Sequence, residues 1–176
     1  MTTFINADTA TGGAIITGDA SGELALQAAG VTKLTVAAAG VTLPTLIPTN
    51  ILEPATISAT AATGTIAYDA LTQSVLYYTS NASANWTVNF RGSSGTSLNT
   101  LMTTGQVITV GFLVTQGATA YYNSAVQVDG SSVTPKWQGG TAPAAGNASS
   151  IDVYTYTIVK TGSAAFTVFA SQTKFA

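Results

Sequence analysis

The chain has 176 residues, of which five are basic and seven acidic, and it contains neither histidine nor cysteine. The missing side chains exclude a disulfide framework, thiolate or imidazole metal sites and most nucleophilic catalysis at neutral pH. The five cations are scattered and form no basic stripe, so we expect no nucleic-acid partner.

Low charge is the main compositional signal for function. Charged residues make up 7% of the chain, whereas a soluble domain usually carries about 25%. Because the cores of protein interfaces are depleted of charge, this composition favours self-association. A monomer with a hydroxyl-rich surface is the alternative.

Residues 1–43 form the first predicted region, a series of short strands separated by small and polar residues. The expected strands are 14–17, 23–27, 31–36 and 41–43. A segment this short cannot bury enough apolar surface by itself, so its side chains need a neighbouring copy or a docking surface. We expect oligomerisation or attachment through Leu24, Leu26, Val31, Leu34, Val36, Val41 and Leu43.

Residues 44–54 are predicted to connect two parts of the chain. They contain Pro44, Pro48 and Pro54, and proline both fixes its own φ and disfavours helix in the residue before it. We therefore expect an extended, semi-rigid linker here, with a domain boundary.

Residues 55–176 show the alternation of a β domain. The expected strands are 55–60, 64–68, 74–79, 86–91, 106–115, 119–128, 132–138, 150–160 and 164–172. Asp129-Gly130 has the composition of a two-residue hairpin turn, and 97–102 is the one helical turn expected. The sequence predicts an all-β protein whose main domain is a β-sandwich, jelly-roll-like in its connections.

Catalytic candidates are few. Asp69, Asp129 and Asp152 are the carboxylates that a polysaccharide depolymerase would need to bring together, because glycosidases work with two carboxylates. Each has a plainer explanation at a turn or a strand end. We expect no enzymatic activity, no metal and no cofactor.

Aromatic residues are the candidate contact residues of the β domain. Tyr77-Tyr78 and Tyr121-Tyr122 are adjacent pairs, so one ring of each pair points outward if both lie in strands. Trp137 lies beside the glycine-rich loop 139–149. We assign four residues to contact with a receptor or another subunit: Tyr78, Tyr121, Tyr122 and Trp137. Packing into the core is the alternative for each.

Residues 21–36, read as SGELALQAAGVTKLTV, resemble a segment of many virion proteins of tailed bacteriophages, above all tail fibres. The opening residues 1–8 are similar to the N-termini of the same proteins. Residues 86–95 and 126–140 resemble a β domain of virion proteins from cyanophages and other marine phages.

This resemblance implies a homotrimeric virion protein, attached to other virion proteins by its N-terminal segment and displaying its C-terminal domain to a host-surface glycan or protein. A capsid decoration (cement) protein or head fibre is the alternative, since the chain is short for a long fibre. The opening residues lack the features of a signal peptide, and no apolar run reaches about 18 residues. We therefore expect synthesis in the host cytoplasm, no membrane insertion and a final location in the virion.

Overall fold

A computed structural model describes residues 24–37 and 40–176, and within these ranges the protein is all-β. The predicted strand at 14–17 lies outside the described residues. A four-residue helix, α1 (Leu98–Leu101), and a 3-10 helix (Gln138–Gly140) are the helical elements of these ranges. The strands are β1 (Leu24–Ala28), β2 (Val31–Ala37), β3 (Gly40–Thr42), β4 (Ala55–Ala61), β5 (Gly64–Asp69), β6 (Val75–Ser80), β7 (Trp86–Arg91), β8 (Val107–Thr115), β9 (Asn123–Val128), β10 (Ser131–Val133), β11 (Lys136–Trp137), β12 (Ile151–Gly162) and β13 (Ala165–Phe175).

Two compact units divide the chain, Met1–Ile51 and Leu52–Ala176. In the first, β1, β2 and β3 form an antiparallel three-stranded sheet. In the second, a four-stranded sheet of order β10-β9-β7-β5 and a six-stranded sheet of order β11-β13-β12-β8-β6-β4 share one hydrophobic core. No helix in the described ranges has the length and apolar character needed to cross a bilayer.

The chain enters the second unit by alternating between its two sheets. Strands β4, β6 and β8 belong to the six-stranded sheet, and β5, β7 and β9 to the four-stranded one. Because each crossing reverses the chain direction, successive strands within one sheet run parallel. The jelly-roll-like connection predicted from sequence is antiparallel, so the structure differs from that expectation. Side chains alternate with a period of two residues in parallel and in antiparallel strands alike. The alternation in the sequence therefore could not show which of the two pairings forms.

The core lies between the two sheets and is built by strand alternation. Trp86, Val88 and Phe90 of β7 are almost fully buried, while the residues between them face outward, as the sequence pattern predicts. Tyr156 of β12 meets Phe90 across the sheets with ring centroids 4.9 Å apart. Edge-on aromatic pairs of this kind add about 0.5–1.5 kcal/mol to the burial of their area.

Two connections follow their sequence signals closely. Val128 pairs with Ser131, and Asp129 and Gly130 between them have φ of 51° and 79°, so this is the predicted hairpin with a turn that needs positive φ at both positions. The predicted helical turn is α1, which begins after Ser97, whose hydroxyl accepts a hydrogen bond from the Thr100 N–H.

Two predicted strands are shorter than expected, each for a local reason. The strand expected at 119–128 begins only at Asn123, because the Gln116 side chain bonds both the N–H and the carbonyl of Tyr121. The strand expected at 132–138 is split by Pro135, which has no N–H to donate to a ladder. Strand β10 precedes this break and pairs in the four-stranded sheet, whereas β11 follows it and pairs in the six-stranded sheet.

Candidate functional site

The N-terminal residues predicted to mediate association lie on the three-stranded sheet, and its register places them together. Leu24 of β1 pairs with Val36 of β2, which pairs in turn with Val41 of β3. Two positions further along, Leu26 pairs with Leu34. Directly paired residues point to the same side of a sheet, so these five side chains share one face.

A β-bulge extends this face to Val31. Leu26 of β1 pairs with Leu34 of β2, and the next residue, Gln27, pairs with Thr32. Lys33, which lies between Leu34 and Thr32, therefore has no partner on β1. One extra residue reverses the alternation of everything beyond it. As a result Val31, which an unbroken strand would turn away from Leu34, pairs with Ala28 on the apolar side.

The two sides of the sheet therefore differ completely in polarity. One side is polar or small, with the Gln27 amide donating to the Thr32 hydroxyl over 3.4 Å. The other side, called here the N-terminal apolar face, consists of Leu24, Leu26, Val31, Leu34, Val36 and Val41. Five of these six are exposed, from 37% for Leu24 to 59% for Val41, and Leu34 is partly buried. Leu43, the seventh predicted residue, follows β3 and is also exposed.

Exposed apolar side chains continue into the proline-rich connection, which the sequence interpretation treated only as a linker. Ile47 is 91% exposed and Leu52 is 93% exposed. Exposed apolar side chains that lie next to one another, rather than singly, mark surfaces that bind other proteins. The available signal was the spacing of Leu46, Ile47, Ile51 and Leu52 among the three prolines.

In the second unit, the predicted contact residues Tyr78 and Trp137 belong to a row of aromatic rings inside the sandwich. Trp137 meets Tyr154, Tyr154 meets Trp86, Trp86 meets Phe112, and Phe112 meets Tyr78, with centroid distances of 5.7 to 6.4 Å. Burial raises the pKa of the Tyr78 and Tyr154 phenols above the ordinary value of 10.0. Both end members of the row are only partly buried.

The outward ring of the first tyrosine pair is Tyr77, which sequence reasoning did not select. Tyr78 points toward the core, where it meets Phe112. In the second pair neither residue lies in a strand, so the outward-ring argument does not apply. Tyr121 packs against the core, and the Tyr122 N–H donates to the Asn85 side-chain oxygen over 3.1 Å.

Trp137 also lines a cleft of the sandwich with a volume of about 670 Å³. The cleft lies where the chain passes from one sheet to the other, and its wall combines hydroxyls of Ser124 and Ser132 with Val126 and Pro135. The loop beyond it is tied down at its far end, since the Asn147 N–H and amide both donate to the buried carboxylate of Asp152.

The three carboxylates considered for catalysis hold separate structural positions. Asp69 forms an ion pair with Arg91, 2.5 Å from Oδ1 to Nε, and this hydrogen bond raises the pKa of the guanidinium. Asp129 accepts hydrogen bonds from the N–H groups of Leu98 and Asn99 at the start of α1.

Asp152 lies at the other end of the sandwich from Asp129. Lys160, which bonds the carbonyls of Asn99 and Met102 around α1, is eight residues further along β12 than Asp152. At about 3.3 Å per residue, this places Asp152 and Lys160 about 26 Å apart along the strand. The structure therefore does not bring the three carboxylates into one site. Among residues 24–37 and 40–176, no group of acidic side chains is arranged to hold a metal ion.

Comparison with known proteins yields no match: no family model fits the chain, and neither a curated protein nor a solved structure is detectably similar to it.

Proposed function

We propose that this protein is a structural component of a bacteriophage virion, a homotrimeric, fibre-like appendage. Its N-terminal segment joins copies to one another and to other virion proteins, and its C-terminal β domain contacts the host surface. It has no catalytic role. The observation that carries the proposal is the N-terminal apolar face, six large or branched apolar side chains gathered on one side of a small sheet and left mostly exposed.

The physical argument concerns what such a face does in water. Fully burying a Val or Leu side chain contributes about 1.5–3 kcal/mol, and most of that gain is not realised while the face is exposed. Packing against the same face of other copies would recover it, and the low charge of the chain removes repulsion between identical subunits. The phage assignment itself rests on the resemblance of residues 21–36.

Two neighbouring residues on opposite sides of β2 supply the test. We expect light scattering of the full chain to give the mass of three chains. Val36→Lys, which puts a charge in the N-terminal apolar face, should give single chains, whereas Thr35→Lys on the polar side should leave the trimer intact. A wild-type monomer at micromolar concentration, or equal behaviour of the two variants, would contradict the proposal.

The position in the particle needs a separate measurement. Gold-labelled antibody against the protein, imaged on virions from the source of the sequence, should mark the tips or sides of tail appendages. Label spread over the capsid would contradict the fibre assignment and support the alternative, a capsid decoration protein. If no label is found on virions, both assignments are wrong.

A further inference from the structure

The six-stranded sheet has an outer face, turned away from the core, that carries a row of large apolar side chains. Ile57, Tyr77, Leu113 and Val153 lie in register on four adjacent strands and form a continuous row across it. Tyr77, Leu113 and Val153 alternate with the buried positions of their strands and so point outward. Ile57 pairs directly with Tyr77 and therefore lies on the same side. Ile57 is 62% exposed.

Further apolar residues border this row along the strands. Val159 pairs with Val107, Ile151 with Phe175, and Phe169 with Thr157, all on the same side of the sheet. Threonine and serine fill most other positions. A charged residue, Lys136, is found only at the margin, where β11 pairs with Phe169 of β13.

The outer face of the four-stranded sheet shows that outward-facing apolar residues are not a general property of the domain. There the outward positions are mostly polar, with Thr65 beside Thr87 and Asn89 beside Gln127. The same face carries the Asp69–Arg91 ion pair. The two outer faces are thus built by the same alternation from very different residues.

We infer that the outer face of the six-stranded sheet is a second self-association surface, through which the sandwiches of neighbouring copies pack against one another. This rests on the proposed function, because the N-terminal segment is what would hold the copies together. A contact between copies held at millimolar effective concentration forms even when its own affinity is weak.

Charge identifies a second copy as the occupant. The centre of this face presents no charged group, so it offers nothing to a partner that recognises by ion pairs, and an identical face brings no like charges against it. Homo-oligomers with closed symmetry are also the commonest assemblies of soluble proteins.

The size of the face fits this role. Five strands spaced about 4.8 Å apart, over about seven residues of 3.3 Å each, give a flat footprint of roughly 500 Å² before side-chain relief is counted. A standard interface buries about 800 Å² on each partner. The face therefore suits one supporting contact within an assembly.

Single thiols test the inference on the full chain, which has no native cysteine. Thr155 is exposed on β12 at the centre of the face, between Gly111 and Ser171. Thr65 is exposed on the outer face of the four-stranded sheet and is the matched control. The measurement is the rate at which a maleimide dye labels Thr155→Cys and Thr65→Cys in the assembled protein.

We expect Thr155→Cys to label about tenfold more slowly than Thr65→Cys in the assembly. Adding Val36→Lys to dissociate the copies should make the two rates equal. Equal rates in a protein that light scattering shows to be assembled would overturn the inference and leave the proposed function standing. A monomeric wild type would overturn both. Protection of Thr155→Cys that arises only when host envelope material is added would assign the face to the host instead.

Discussion

The three-stranded sheet of the first unit and the four-stranded sheet of the second have the same design but opposite outcomes. Each has one apolar and one polar face, produced by alternation along its strands. In the four-stranded sheet the apolar face carries Ile66, Tyr68, Val88, Phe90, Val126 and Val128, all exposed by 5% or less. In the three-stranded sheet, Val31 and Val41 remain 55% and 59% exposed.

The difference shows what a residue pattern does and does not determine. Alternation assigns side chains to a face, but it does not say what covers that face. The six-stranded sheet covers the four-stranded one within the second unit. For the N-terminal apolar face, we propose that copies of the chain provide the cover.

The largest expected effect comes from deleting single residues of β2. Removal of Thr35 makes Leu34 and Val36 consecutive, so they must point to opposite sides and the N-terminal apolar face is broken. Removal of Lys33 takes out only the bulged residue and leaves every pair of the register in place. We expect the Thr35 deletion to give monomers and the Lys33 deletion to remain trimeric by light scattering.

The deletion pair also tests the bulge itself. Both variants lose one residue from the same strand, so general damage from shortening β2 would affect them alike. If the Lys33 deletion dissociates while the Thr35 deletion assembles, the register described for β1 and β2 is wrong.

A second pair of changes compares buried with exposed apolar residues. Trp86→Ala removes a ring that is 1% exposed and contacts Phe112 and Tyr154, so the free energy of unfolding should fall by about 3–5 kcal/mol. Leu26→Ala, at 44% exposure, should change the unfolding of the sandwich by less than about 0.5 kcal/mol. Urea denaturation followed by tryptophan or tyrosine fluorescence measures the free energy of unfolding of both variants. A large decrease for Leu26→Ala would show that the Leu26 side chain stabilises the sandwich.

Much of the strand pattern was predictable from sequence because the alternation is strong. In WTVNFR the residues Trp86, Val88 and Phe90 share one side, and in IDVYTYTIV both tyrosines alternate with threonine; both segments form strands close to the expected bounds. Asp129-Gly130 was predictable as a turn, since few residue pairs accept positive φ twice. These patterns are local in the sequence. Local patterns predict structure correctly where the local preference and the tertiary fold favour the same conformation.

The features that sequence did not predict depend on contacts between distant segments. The bulge at Lys33 appears only when β1 is laid against β2. The choice of Tyr77 over Tyr78 as the outward ring depends on which side of β6 the other sheet covers. Asp152 is buried and bonded to Asn147 and Gln116, partners that the residues around it in sequence do not reveal.

The last expected effect is a response to alkaline pH that is absent at neutral pH and confined to the sandwich. Burial raises the pKa of Tyr68, Tyr154 and Tyr156 above 10.0, and residues 24–43 contain no tyrosine. A raised folded-state pKa means that the stabilisation is complete below about pH 10 and is lost as pH rises further, because the unfolded chain then releases protons that the folded protein retains. We expect the free energy of unfolding to fall above pH 10, by up to about 1.4 kcal/mol per pH unit for each such tyrosine.

Tyr154→Phe separates this ionisation from general alkaline damage. The variant loses the phenol oxygen that accepts from the Asn123 N–H and the Gln172 amide, which should cost about 1 kcal/mol at pH 8. It also loses one ionising group, so urea unfolding between pH 8 and 11 should show a shallower decline than the wild type. An identical slope in the two proteins would mean that Tyr154 ionises equally in the folded and unfolded chains, and the aromatic row would then be open to solvent.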